Sequence, residues 1–178
     1  MGTNGFLNKT KLAVFDLDGT LLDTPLPDSG RKLYQEKTGK PWPYQGWWGR
    51  EESLDSSIFD MKPIASVMAD YKAEKAKENT AVIMLTGRIS RLANKVESIL
   101  SEKGYSFDGY YYNNGGRTDA EKIKTLNELL DKFTSIEFIE MWDDRMEHIP
   151  TFEQWGKTKV EEGRLKDFQV NVVLSNHH

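Results

Sequence analysis

The chain has 178 residues, of which 38% are hydrophobic and 29% are charged, and its formal net charge is −4. This length and composition are typical of one globular domain, and they exclude a disordered or fibrous chain. The absence of cysteine excludes disulfides and cysteine nucleophiles, and the acidic balance argues against nucleic-acid binding through overall charge.

Apolar runs alternate with helical patterns along the chain, which predicts an α/β protein with a parallel sheet. Most of these runs are continuous rather than alternating, as in strands that are covered on both faces. The predicted strands cover residues 12–15, 81–85, 110–112, 136–142 and 170–174, and the predicted helices cover residues 63–78, 89–103 and 119–133.

A long connection interrupts this alternation. Residues 16–80 separate the first two predicted strands, whereas a usual connection of this kind has ~2–6 residues. Four of the six prolines and three of the five tryptophans lie between residues 23 and 57. We therefore predict a single domain over residues 1–178 with a small insertion at about residues 24–60, which forms either its own small fold or a flap.

Two carboxylates at the end of the first predicted strand are the strongest sign of chemistry. Asp16 and Asp18 follow the apolar run and precede Gly19. Because residues i and i+2 of a strand point to the same side, both carboxylates reach one site at the strand's carboxyl end, where open α/β sheets bind ligands. An acidic turn after a strand is the alternative interpretation.

Four motifs in chain order resemble those of the haloacid dehalogenase (HAD) superfamily, whose members are mostly Mg²⁺-dependent phosphatases. They lie at residues 16–20, 84–88, 118–122 and 141–145. The Leu-Thr-Gly-Arg and Trp-Asp-Asp-Arg forms of the second and fourth motifs, with His148 and Phe152 after the latter and the loop at residues 46–50, are similar to the Swiss Army Knife RNA repair-like branch. Glu121 stands where that branch often has phenylalanine before the lysine. The resemblance implies a Rossmann-like three-layer sandwich whose first strand is central.

The resemblance also implies a mechanism. Asp16 would be the nucleophile that forms an aspartyl-phosphate, and Asp18 the general acid and base. Thr86 and the amide of Gly87, placed just before a helix N-terminus, would hold phosphate oxygens, with Arg88 nearby. Lys122 would supply positive charge beside the nucleophile.

A hard cation, Mg²⁺, would bind Asp16, the backbone carbonyl of Asp18 and a carboxylate of the fourth motif. The sequence leaves open whether Asp143 or Asp144 is the inner ligand. Taken alone, these residues have simpler interpretations, namely a helix cap for Thr86, a solvated side chain for Lys122 and a strand-end turn for the acidic pair. For Arg88, and above all for Arg145, the alternative interpretation is an ion pair with a nearby carboxylate. For His148 the alternative is local packing.

The insertion carries the prediction about the substrate. Unpaired bases could stack on the rings of Trp47, Trp48 and Tyr44, and Arg50 could contact a phosphate. The alternative is that these aromatic residues form a small core of the insertion itself. We predict that the loop at residues 41–50 forms one wall of the site.

The predicted function is hydrolysis of phosphate monoesters on nucleotide or polynucleotide ends. A small-metabolite or mononucleotide phosphatase is the alternative within enzymes, and a catalytically silent phosphate-binding module is the alternative outside them. No apolar run approaches the ~18 residues of a membrane span, and the first residues lack a signal-peptide core, so we expect a cytoplasmic protein without a membrane partner. The sequence leaves open the ester, the choice of RNA or DNA, the oligomeric state and the origin of His177 and His178.

Overall fold

Five parallel strands form one sheet in the computed structural model, which describes residue 6 and residues 8–175. Their spatial order is β3-β2-β1-β4-β5, so the first strand is central, as predicted. The strands are β1 (Lys11–Phe15), β2 (Thr80–Ile89), β3 (Gly109–Asn113), β4 (Phe138–Asp143) and β5 (Asp167–Val172). The helices are α1 (Pro27–Thr38), α2 (Ala65–Lys75), α3 (Ala93–Glu102), α4 (Thr118–Lys132) and α5 (Ile149–Glu161). The predicted α/β class is confirmed.

The two faces of the sheet carry separate hydrophobic cores because successive residues of a strand point to opposite sides. Ala13 and Phe15 of β1 pack with α2, α3 and part of the insertion. Leu12 and Val14 pack on the other face with α4 and α5. Helices therefore cover both faces, which explains why the strands read as continuous apolar runs and gives the predicted three layers.

The second strand is longer than predicted. Its pairing with β3 shifts register after Leu85 and resumes at Ile89, which lies opposite Asn113. A short 3₁₀ turn follows, and α3 begins only at Ala93. Thr86 and Gly87 therefore lie within the extended strand, and the prediction that they come just before a helix N-terminus along the chain is wrong, because strand pairing continues past both residues.

The long connection after β1 returns to the end of that strand. Leu22 forms isolated β-bridges with both Asp18 and Pro63, which brings the two ends of the connection together. Between them lie α1, which the sequence analysis did not predict, and a 3₁₀ turn at Glu51–Leu54. The segment therefore starts and ends beside the carboxyl end of the central strand.

In the part of the chain that the structure describes, no helix has both the length and the apolar character needed to cross a membrane. His177 and His178 lie outside the described residues.

Candidate active site

The four motifs meet at the carboxyl end of the parallel sheet. Asp16 directly follows β1, Asp143 is the last residue of β4, and Lys122 lies in the second turn of α4. These elements surround a cavity of about 690 Å³, and the lining includes Asp16, Asp18, Gly87, Arg88, Lys122 and Asp144. Adjacent parallel strands end at the same edge, so residues that are far apart in the sequence come together here.

A buried cluster of three carboxylates and one ammonium forms the floor of the cavity. Lys122 Nζ lies 3.0 Å from Asp16 Oδ1 and 2.8 Å from Asp143 Oδ2. Burial raises the pKa of Asp16 well above its usual range; Lys122 opposes this shift, while Asp143 and Asp144 add to it. Burial alone would lower the pKa of Lys122, but Asp143 and Asp16 raise it. The lysine is therefore a fixed positive charge at neutral pH.

The same carboxylates fit a divalent cation. Asp16, Asp143 and Asp144 each offer an oxygen, and these oxygens lie within 4.8 Å of one another. With all three carboxylates ionised, the group with Lys122 carries two net negative charges, which a divalent ion would balance. Carboxylate oxygens are also the ligands that Mg²⁺ prefers.

The two neighbouring acids of the fourth motif differ in their surroundings. Both oxygens of Asp143 accept hydrogen bonds, Oδ2 from Lys122 at 2.8 Å and Oδ1 from the amide of Arg145 at 2.9 Å. Asp144 instead lines the cavity. Asp143 is thus fixed between a lysine and the backbone, whereas Asp144 faces the space that a ligand would occupy.

Asp18 is held by two side chains. The Arg88 guanidinium binds it in a bidentate manner, with Nε 2.9 Å from Oδ2 and Nη2 2.8 Å from Oδ1. The hydroxyl of Thr24 donates to Oδ1 at 2.6 Å. Arg88, which we expected to bind substrate, lines the cavity but directs its guanidinium to a carboxylate, in line with the alternative interpretation.

The backbone of the second motif reaches the cavity at Gly87. Thr86 is buried, and its hydroxyl oxygen accepts a hydrogen bond from the amide of Arg88 at 3.1 Å. Gly87 lies so close to α4 that a Cβ atom there would be 2.7 Å from Thr118 Cγ2. The helix N-terminus beside Gly87 is therefore that of α4 rather than that of α3.

The two adjacent tryptophans of the loop at residues 41–50 lie in different surroundings. Trp47 is 3% exposed and packs against Trp42 and Phe59, so the predicted stacking of a base on Trp47 is wrong and the core interpretation holds for it. Trp48 is 38% exposed and lines the cavity. Arg50, which we expected to contact phosphate, is ion-paired with Glu52 and lies outside the described cavity lining.

Several residues at the site were not singled out from the sequence. Thr20 and Thr24 donate hydrogen bonds to Asp16 and Asp18. Leu26 and Met146, the latter 58% exposed, also line the cavity. Thr20 and Thr24 could have been noticed in the sequence, because they follow Asp16 and Asp18 closely. Nothing in the local sequence marks Leu26 or Met146.

Arg145, the last residue of the fourth motif, and His148, which follows it, agree with their alternative interpretations. Arg145 lies 2.9 Å from Glu147 and pairs with it, although both residues line the cavity. His148 is buried and packs edge-on against Phe152. Burial lowers the pKa of His148, and the nearby Arg145 adds to this shift.

Comparisons with known proteins identify the family and support the fold. Residues 31–178 match the model of HAD domain family 1 in Swiss Army Knife RNA repair proteins. A curated relative, the uncharacterized Saccharomyces cerevisiae protein YMR265C, is 25% identical in an alignment 169 residues long, which covers 82% of this chain and 37% of the relative. The chain thus spans well under half of the length of that protein.

Solved structures share the fold at low identity. A chain of the Pnkp1/Rnl/Hen1 complex superposes with a TM-score of 0.55 at 19% identity, over 93% of this chain and 45% of that one. The HAD domain of the effector Lem4 from Legionella pneumophila superposes with a TM-score of 0.57 at 12% identity, over 96% and 88% of the two chains. Because this family match covers most of the sequence, the chain belongs to HAD domain family 1 in Swiss Army Knife RNA repair proteins.

Proposed function

We propose that this protein is a Mg²⁺-dependent phosphomonoesterase that transfers a phosphoryl group to Asp16, and that its substrates are phosphorylated nucleotide or polynucleotide ends. The observation that carries the proposal is the buried cluster of Asp16, Lys122, Asp143 and Asp144 at the floor of an open cavity. A phosphate dianion repels an anionic nucleophile, so attack by a carboxylate requires concentrated positive charge. The cluster offers one fixed cation and a place for another.

Asp16 attacks the phosphorus atom, and the bond to the leaving oxygen breaks as the aspartyl-phosphate forms. Lys122, 3.0 Å from the Asp16 carboxylate, holds this group in place and supplies charge to the phosphoryl oxygens during transfer. Asp143 orients the lysine through the 2.8 Å contact on its other side. Because the lysine is already bound to both carboxylates, little rearrangement is needed at the moment of reaction.

The protonated form of Asp18 donates its proton to the leaving oxygen, and the carboxylate so formed then takes a proton from the water that attacks the aspartyl-phosphate. That second step releases inorganic phosphate and regenerates the Asp16 carboxylate. Asp18 lies two residues from the nucleophile and lines the same cavity, which supports this assignment.

The metal would be held by Asp16, Asp144 and the backbone carbonyl of Asp18. Asp144 is the better candidate for the inner carboxylate, because it faces the cavity while both oxygens of Asp143 already accept hydrogen bonds. When bound, Mg²⁺ neutralises charge on the transferred phosphoryl group and orients it for in-line attack.

The phosphate would lie against Gly87 and the first turn of α4. The close approach of Gly87 to Thr118 brings the backbone of the second motif next to a helix N-terminus, and helix N-termini favour anions. Thr86 is buried and its hydroxyl oxygen accepts a hydrogen bond from the amide of Arg88, so it would shape this backbone.

The preference for a nucleotide end is supported by the apolar side chains at the cavity. Trp48, Leu26 and Met146 line a space of about 690 Å³, which is larger than a phosphate group needs. Trp48 belongs to the insertion at about residues 24–60, which we propose acts as a small cap over the site. A small-metabolite phosphatase would gain little from an exposed tryptophan at this position, whereas a flat base stacks on it.

The first experiment is hydrolysis of p-nitrophenyl phosphate with and without Mg²⁺. It is followed by a panel of nucleotides, sugar phosphates and oligonucleotides that carry a 3′- or 5′-phosphate. We expect Mg²⁺-dependent turnover and the highest kcat/KM on a phosphorylated oligonucleotide or nucleotide. A preference for sugar phosphates would support the metabolite alternative. Binding of phosphate without turnover of any ester would support the silent module.

Replacement of the two neighbouring tryptophans separates binding from packing. Trp48→Ala is expected to weaken binding of the oligonucleotide by roughly 5- to 150-fold, because base stacking contributes ~1–3 kcal/mol, and to change p-nitrophenyl phosphate hydrolysis much less. Trp47→Ala serves as the matched control, since it empties a core position and is expected to lower the melting temperature. Equal loss on both substrates in Trp48→Ala would contradict the stacking role.

A further inference from the structure

Arg88 is an unusually well bonded arginine for a residue on a cavity wall. Its side chain is 2% exposed, although the residue lines the cavity. Nε and Nη2 bind Asp18, and Nη1 donates to the carbonyl oxygen of Trp48 at 3.0 Å and to Ser53 Oγ at 2.8 Å. Of the five N–H groups of a guanidinium, four are thus directed to acceptors of the protein itself.

We propose that Arg88 is a positioning residue that acts through Asp18, and that it links the orientation of this acid to the position of residues 48–53 of the insertion. The inference rests on the proposed function, because it concerns the proton transfer assigned to Asp18. It also replaces the expectation that Arg88 contacts substrate, since the guanidinium has little bonding capacity left for a phosphate.

The geometry around Asp18 supports a positioning role. A planar guanidinium that binds both oxygens of a carboxylate fixes the rotation of that carboxylate, which a single lysine contact would not do. Thr24 donates to Oδ1 at 2.6 Å and adds a third fixed point. General acid catalysis needs the acid within hydrogen-bond reach of the leaving oxygen, so the orientation of Asp18 bears directly on the rate.

The other side of Arg88 provides the link to the insertion. The Trp48 ring lies 5.2 Å from the guanidinium carbon and lines the cavity, so a ligand that contacts Trp48 also contacts the group that holds Arg88. Ser53 is fully buried, and its hydroxyl donates to the carbonyl oxygen of Arg50 at 2.6 Å, which fixes its own direction. A shift of this segment therefore changes the bonding of Arg88 and, through it, of Asp18.

A role through the general acid has a kinetic signature that substrate binding or folding lacks. p-Nitrophenolate is a weak base and leaves without protonation, whereas the alkoxide of benzyl phosphate requires a proton. Both substrates carry one aromatic ring, so their binding differs little. Loss of acid positioning should therefore reduce kcat/KM for benzyl phosphate selectively, because kcat/KM reports the transfer of the phosphoryl group to Asp16.

The experiment compares the wild-type protein with Arg88→Gln, Asp18→Asn and the double variant on both substrates, with Mg²⁺ present. We expect Arg88→Gln to reduce kcat/KM by roughly 10²-fold on benzyl phosphate and by less than about 5-fold on p-nitrophenyl phosphate, within the range that acid–base catalysis contributes. In the Asp18→Asn background the further effect of Arg88→Gln should fall below about 3-fold, because residues that act as a unit are not additive. Arg145→Gln, which changes an exposed arginine on the same cavity, is expected to affect both substrates equally.

Ser53→Ala provides a second variant in case Arg88→Gln does not fold. It removes one acceptor of Arg88 Nη1. We expect kcat/KM for benzyl phosphate to fall several-fold, and kcat/KM for p-nitrophenyl phosphate to fall less. Equal losses on both substrates, in either variant, would overturn the inference, as would full additivity with Asp18→Asn. A wild-type protein that hydrolyses neither substrate would overturn the proposed function and this inference with it, so the two failures are distinguishable.

Discussion

Replacement of Asp16 by asparagine is expected to reduce turnover by roughly 10⁴-fold or more, which is the range found when a catalytic nucleophile is removed. The amide keeps the shape of the carboxylate and can still accept the hydrogen bond from Lys122, but it does not attack phosphorus. The variant should fold, because it removes one of three crowded carboxylates whose mutual repulsion and burial raise the pKa of Asp16. Turnover of p-nitrophenyl phosphate and a melting curve measure the two effects.

Asp60→Asn is the matched control, since Asp60 is exposed and lies outside the cavity lining that the structure describes. It makes the same chemical change and should leave kcat and KM unaltered. A second readout is direct: acid quenching of the wild-type protein during turnover, followed by mass spectrometry, should find phosphate on the peptide that contains Asp16. Activity of Asp16→Asn near that of the wild-type protein would rule out the covalent mechanism.

The sheet could be predicted from the sequence because its strands are buried on both faces. Continuous apolar segments such as residues 81–85 are readable without knowledge of the partner strands. The two helices that were missed carry weaker signals. Helix α1 has one buried residue, Gly30, which has no side chain to mark an apolar stripe. Helix α5 contains a proline in its first turn and Gly156 on its buried face, and both residue types have low helix propensity.

The paired acids and the lysine of the site could be placed because each follows or opens a predictable element at the same edge of the sheet. Contacts across the chain could not be placed this way. Trp47 and Trp48 are adjacent and chemically identical, yet one is buried beside Phe59 and the other lines the cavity. Likewise, Arg88, which binds Asp18, lies 70 residues away in the sequence. It belongs to the extension of β2, which depends on pairing with β3.

Removal of the metal is expected to stop turnover and lower the melting temperature. A ligand that binds only the folded state at about 100 times its Kd stabilises that state by ~2.7 kcal/mol. For a domain of this size each kcal/mol corresponds to about 2–4 °C, so Mg²⁺ should raise the melting temperature by roughly 5–10 °C over the chelated protein. Addition of NaCl at equal ionic strength is the control for charge screening. Turnover that resists chelation would contradict the metal assignment.

Asparagine variants of the two neighbouring acids test how the site holds the ion. Asp144→Asn is expected to abolish the shift caused by Mg²⁺ while the chelated protein melts no earlier than the wild-type protein, because one of three clustered negative charges is gone. Asp143→Asn should lower the melting temperature even under chelation, since the Asp143 carboxylate forms an ion pair with the buried Lys122. The same substitution at adjacent positions is therefore expected to destabilise the metal-free protein at Asp143 but not at Asp144. An undiminished Mg²⁺ shift in Asp144→Asn would reassign the inner ligand, and an undiminished shift in both variants would mean that the ion binds elsewhere.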